Sequence, residues 1–188
     1  MAEGDRTKRV LVPIADGSEE IESVAIIDVL RRAGAEVTVA SVDELQVTAS
    51  RGVKLVADRL IRDCAGSAYD LIALPGGSRG AEHLRDSPEL VAMLKKQQAQ
   101  NRLYAAICAA PAVVLEHHGL ATGRRVTCHP GFTDRLSNQE SVSSRVVVDG
   151  NLVTSRGPGT AIEFALKLVE LLYGEEKARE VADPMIVS

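Results

Sequence analysis

The sequence predicts a single-domain α/β fold: a doubly wound, mostly parallel sheet with helices on both faces. Three observations predict it. The strand-like runs are apolar from end to end rather than alternating, as strands covered on both faces are. They take turns along the chain with stretches of helical period. The length of 188 residues, 45% of them hydrophobic, suits one well-buried core, and no repeat, low-complexity segment or Pro/Gly/Ser tract divides it.

Residues 1–8 are expected to form a flexible N-terminal extension of a domain that spans the whole chain, 1–188. "RVLVPIA" (9–15) reads as the first buried strand. "EIESVAIIDVLRRAG" (20–34) follows as a helix, with Ile21, Val24, Ala25, Val29 and Leu30 on one face and Gly34 as its stop. "EVTVASV" (36–42) and "YDLIALPGG" (69–77) contain the next strands. "SPELVAMLKKQQAQN" (87–101) is a helix with Ser87 as N-cap and Pro88 at its first position. "LYAAI" (103–107) gives a further strand, "APAVVLEHHG" (110–119) a further helix, and "TAIEFALKLVELLYG" (160–174) a late amphipathic helix ending at Gly174. Two stretches, 45–59 and 144–157, read as β-hairpins, the second turning at Asp149-Gly150-Asn151; both are expected to be accessory ribbons.

Composition excludes several function classes. A formal net charge of −4 and a charged fraction of 26% give no electrostatic reason for nucleic acid as the main ligand. With no Trp and 3% aromatics, a base-stacking platform or an interfacial aromatic belt is hard to build. The longest apolar stretch, "AAICAAPAVVL", is interrupted by Pro111 and falls short of the roughly 18 residues of a membrane span, and no secretory leader is read at the N-terminus. Three cysteines, Cys64, Cys108 and Cys128, lack framework spacing and fit free thiols in a reducing compartment, the cytoplasm first.

In open α/β sheets ligands bind beyond the carboxyl ends of the strands, so the post-strand junctions carry the chemistry. After the first strand, "DGSEEIES" places Glu19, Glu20 and Glu22 at a helix start. Complementing the helix dipole accounts for Glu19 and Glu20; Glu22 is positioned to lean over the sheet edge, where burial would keep it protonated. "LPGGSRG" offers the backbone amides of Gly76 and Gly77 without a phosphate-binding pattern. Cys108 stands at a strand-to-helix elbow among Ala106, Ala109 and Ala110, small neighbours that such crowding demands. A buried cysteine is more often inert packing, but a helix start would lower its pKa and free the next amide for an oxyanion. His129, in "VTCHPG" at the end of a short expected strand, is a candidate base; His83, His117 and His118 read as surface residues. Cys108, Cys128 and His129 lack metal-ligand spacing, so no metal is expected.

Taken in order, "EEIES", "LPGG", "AAICAAP", "TCHP" and "SRGPGTAIEFAL" resemble the ThiJ/PfpI superfamily and, within it, the Parkinson-disease-associated (DJ-one) branch, from about Arg9 to the C-terminus. The resemblance implies a flavodoxin-like sandwich, a homodimer, and no cofactor. It assigns the reactive cysteine to Cys108, a protonated glutamate that donates to the thiolate to Glu22, and a nearby histidine to His129. It implies an oxyanion site at the Gly77 and Ala109 amides beside Gly76. Arg32 and Arg51 match arginines near the site at the dimer interface, and Gly157 and Pro158 border it. Ala109 stands where the peptidase-like branch has a histidine, which counts against proteolysis. The amidotransferase relatives' synthase partner has no counterpart in a chain this small. Ala49 and Val56 stand where some members carry further cysteines, so redox chemistry should concentrate on Cys108.

Two functions follow from the resemblance. One is a metal- and glutathione-independent glyoxalase or protein deglycase acting on methylglyoxal-type dicarbonyls or their glycated adducts. The other is a redox-sensing stress protein or chaperone, switched by oxidation of Cys108 without turnover.

Overall fold

The computed structural model describes residues 6–187. Residues 1–5 of the expected extension lie outside the described residues; within its remainder, Arg6 pairs with Asp70 at 2.5 Å and the Lys8 amide donates to the Tyr173 hydroxyl at 3.2 Å. The elements run β1 (Arg9–Ile14), α1 (Glu20–Arg32), β2 (Glu36–Ser41), β3 (Gln46–Thr48), β4 (Lys54–Val56), β5 (Arg59–Leu60), β6 (Leu71–Leu74), α2 (Ser78–Arg85), α3 (Pro88–Ala99), β7 (Leu103–Ile107), β8 (Val146–Asp149), β9 (Leu152–Ser155), α4 (Ala161–Tyr173) and α5 (Glu175–Ala182).

Seven strands form one sheet in the order β5-β2-β1-β6-β7-β9-β8. Every pairing in it is parallel except β8 with β9. Alternate residues of the fully buried strands feed two cores. Val10 and Val12 of β1 join Ile26, Leu30, Phe164 and Leu168 of α1 and α4 on one face. Leu11 joins Leu84, Leu90, Leu94 and Val114 on the other. The doubly wound, two-faced α/β architecture is therefore as the apolar strands predict.

The sequence reading is corrected in three places. The 144–157 hairpin is no accessory ribbon: β9 pairs in parallel with β7, from Tyr104↔Leu152 to Ile107↔Ser155, and so extends the main sheet. Local pattern identifies a hairpin but not which distant strand it joins. The 45–59 hairpin does stand apart, as β3 against β4. Residues 110–119 hold a shorter π-helical turn, Pro111–Glu116, in place of an α-helix. Residues 126–129 belong to no strand, so His129 does not end one; it caps a 3₁₀ turn over Pro130–Arg135. Ser87 is an N-cap as expected, its side chain accepting from the Leu90 amide at 3.4 Å, with Pro88 behind it.

Candidate active site

Three junctions at the carboxyl ends of β1, β6 and β7 meet in space. At the end of β7, Cys108 has φ 64°, a left-handed conformation rare for a residue with a side chain. The turn is pinned on both sides: the Cys108 amide donates to Ser155 O at 3.1 Å, and Cys108 O accepts from the His129 amide at 2.8 Å. Ala109 and Ala110, both fully buried, let the chain reverse in this crowded place. At the end of β6, the chain packs directly under the elbow. A Cβ on Gly76 would lie 2.5 Å from Cys108 Cβ and 2.8 Å from Glu22 Oε2, so glycine is required there for close approach.

Glu22 comes from the first turn of α1 and is fully buried. Its backbone amide donates to Glu19 Oε2 at 2.8 Å, which makes Glu19 the N-cap of the helix. Its side chain accepts from the Gly76 amide at 2.7 Å through Oε2, while Oε1 has no hydrogen-bond partner. Burial pushes the Glu22 carboxyl up to about 7, against the downward pull of the Gly76 amide. Burial first, and the Glu22 charge second, push the Cys108 thiol up to about 12, against the amides of Gly77 and Ala109. Desolvation and the neighbouring carboxylate thus oppose the lowering that a helix start and the two amides would bring. The Glu22 carboxylate disfavours ionisation of the thiol, whereas the thiol's hydrogen bond favours the carboxylate, so between about 7 and 12 the pair carries one negative charge, on Glu22.

The cleft above this pair has a volume of about 740 Å³ and takes in Cys108, Gly77, Arg51, His129, Phe132 and Pro158. The Gly131 amide donates to His129 Nδ1 at 3.1 Å, which leaves Nε2 as the N–H position of the neutral ring. Gly157 lies behind that ring, where a Cβ would sit 3.7 Å from His129 Cδ2. Of the expected site residues, the structure thus brings together Cys108, Glu22, His129, Gly76, Gly77, Ala109, Arg51, Gly157 and Pro158.

One expectation needs revision, and the one for Arg32 concerns a second copy of the chain. The Gly76 amide is engaged by Glu22 and holds the acid rather than an oxyanion. Arg32 sits at the far end of α1, about 15 Å along the helix from Glu22, and pairs with Asp28 at 2.6 Å, so within this chain it does not reach the cleft.

Other residues of the site carried a weaker signal. Glu20 does more than complement a dipole: it is buried, and its carboxylate accepts from Ser50 Oγ at 2.8 Å and the Arg51 amide at 2.7 Å, fixing the turn that presents Arg51. Asp16, Ile21 and Arg79 also line the cleft. Arg79 is visible in "GGSRG", but nothing local says that α2 begins there. Among the described residues, no group of three or more His, Cys, Asp or Glu is arranged to hold a metal ion, and no helix is long and apolar enough to cross a membrane.

The chain that carries this elbow and buried acid is similar to several known proteins. "Protein DJ-1 homolog B" of Arabidopsis thaliana is 54% identical over 182 residues, which are 96% of this chain but 42% of that relative. The chain thus spans under half of the plant relative's length. The "Parkinson disease protein 7 homolog" of Danio rerio is 45% identical, with 96% of this chain and 97% of that one covered. The "Glutathione-independent glyoxalase DJR-1.2" of Caenorhabditis elegans is 37% identical, with 95% of each covered. Among solved structures, oxidized Toxoplasma gondii DJ-1 superposes with a TM-score of 0.94 at 52% identity, covering 97% of this chain and 100% of that one. Residues 8–171 match the DJ-1/PfpI family, and the chain belongs to that family.

Proposed function

We propose that the chain is a cysteine-dependent, glutathione-independent glyoxalase of methylglyoxal-type dicarbonyls, with deglycase release of their protein adducts as the same chemistry from the adduct side. The observation that carries this reading is the buried Glu22–Cys108 pair, which holds one negative charge and one mobile proton beneath an open cleft. The name of the C. elegans relative supports it.

In this mechanism Glu22 takes the thiol proton as Cys108 Sγ adds to the aldehyde carbon, and the Gly77 and Ala109 amides steady the resulting oxyanion. Glu22 passes that proton to the oxyanion, giving the hemithioacetal. The carboxylate then removes the hydrogen from the same carbon while His129 Nε2 protonates the neighbouring ketone oxygen. Return of the proton from Glu22 to the second carbon, with loss of the hydroxyl proton to His129, leaves a lactoyl thioester. Water cleaves it to lactate and regenerates the thiol. One carbon is oxidised and its neighbour reduced, so no external oxidant, metal or thiol cofactor enters the balance.

Lactate formation from methylglyoxal tests the reading. Wild type should produce lactate, Cys108→Ala none, and Glu22→Gln at least about 100-fold less, each with an unchanged circular dichroism spectrum. Wild-type-like turnover by Cys108→Ala overturns it. The proposal includes a homodimer, because Ile21 and Val24 are 58% and 48% exposed at the cleft end of α1. It also places the protein in a reducing compartment, the cytoplasm first, with small dicarbonyls or glycated adducts as ligands.

The similarity to an oxidized DJ-1 favours a second reading, in which two oxygens from peroxide convert Cys108 to a sulfinate held by the same amides and a protonated Glu22. Intact mass after mild peroxide measures it: a gain of two oxygens that Cys108→Ala abolishes supports sensing.

A further inference from the structure

Resting on the proposed glyoxalase reading, we infer that Arg79, with Arg51, selects α-oxoaldehydes that carry a carboxylate at the end remote from the aldehyde. Both arginines line the cleft that opens over Cys108, from different elements: Arg79 from the first turn of α2 and Arg51 from the hairpin turn. Neither is positioned loosely. Glu20 anchors the backbone of Arg51 at 2.7 Å, and the stem of Arg79 lies over Gly17, where an added Cβ would meet Arg79 Cβ at 2.8 Å.

The charges around them leave these cations available. Among the described residues, neither guanidinium makes a hydrogen bond or ion pair. Asp16 and Glu19 share the cleft, but each is committed to a backbone amide, Asp16 to Thr48 at 2.8 Å and Glu19 to Glu22 at 2.8 Å. The N-terminus of α2 opens on the same cleft with no acidic residue in its first turn and no side-chain cap on its amides. A neutral substrate such as methylglyoxal uses none of this. An anionic tail would engage a planar guanidinium through charge-assisted hydrogen bonds, while the aldehyde end reaches the thiol.

The probe is 4,5-dioxopentanoate. Thiolate addition to its aldehyde carbon, transfer of that carbon's hydrogen as a proton to the neighbouring carbon, and thioester hydrolysis by one water give 2-hydroxyglutarate, again with no external oxidant. The readout is the ratio of kcat/KM for 4,5-dioxopentanoate to that for methylglyoxal, in which any general loss of folding or chemistry cancels. Arg79→Leu should lower this ratio about tenfold, chiefly through KM, and Arg79→Lys should restore most of it. An unchanged ratio overturns the inference.

If wild type turns over neither aldehyde, the proposed activity fails, and a measurement that needs no turnover decides on Arg79. Alkylation of Cys108 by iodoacetate is compared with alkylation by uncharged iodoacetamide. A several-fold fall in that rate ratio in Arg79→Leu, removed by high salt, supports the anion preference; no change in the ratio rejects it.

Discussion

The Glu22 side chain joins stability and chemistry in a single residue. Its folded-state value of about 7 lies above the ordinary 4.5, so the folded protein keeps a proton that the unfolded chain has released between those values. Stability therefore falls as pH rises from 4.5 to 7 and stays reduced above that, by about 3 kcal/mol if the whole shift is expressed. Glu22→Gln keeps an oxygen for the Gly76 amide and removes the charge. The variant should match wild type in urea unfolding near pH 4 and exceed it by up to about 3 kcal/mol at pH 8, while losing turnover. Equal stabilities at pH 8 would show that the buried carboxylate carries no such strain. The junction position made Cys108 legible in the sequence, and the family motifs singled out Glu22 and His129. Arg79 and the tether from Glu20 were not legible, because each acts on a segment brought near only by the fold.

Among the elements, those with a broad apolar face were legible and those with a narrow one were not. α2, "SRGAEHLR", and α5, "EEKAREVA", are mostly polar, and α5 buries only Val181. α2 also contains Gly80, a residue that weakens helices; here a Cβ would lie 2.4 Å from the Ser18 amide nitrogen, so glycine lets the β1–α1 loop pack against α2. The same packing distinguishes two glycines of nearly equal φ. Gly34 after α1, φ 87°, has open space at its Cβ position, whereas Gly77 at the start of α2, φ 84°, would place a Cβ 2.2 Å from Gly17 O. Gly34→Ala should cost about 1 kcal/mol, the left-handed penalty alone. Gly77→Ala adds a backbone collision and should cost about 3 kcal/mol or more, with loss of the amide beside Cys108. Denaturant midpoints of the two variants give the comparison, and a larger loss for Gly34→Ala would contradict the role assigned to the junction.

At the scale of the whole molecule, strand alternation made the layers legible, but the order of strands depends on pairings such as β7 with β9 that no local pattern records. The surface left by that order bears on assembly. Ile21 and Val24 on α1, Val53 after the hairpin turn and Ile162 on α4 are 58%, 48%, 49% and 43% exposed. α1 packs against α4, and Glu20 ties the hairpin turn to the start of α1, so these side chains belong to neighbouring elements. Large apolar residues grouped on neighbouring elements are costly to leave in water and suit a self-complementary, two-fold contact. Ile21 also lines the cleft, so pairing through this face would shield the entrance to Cys108. Sedimentation of the wild type at micromolar concentration should give a dimer, and Val24→Glu, which places a charge in the contact without touching the cleft lining, should give a folded monomer. That monomer should lose part of its turnover through exposure of the cleft, and a wild-type protein that sediments as a monomer would refute the assembly.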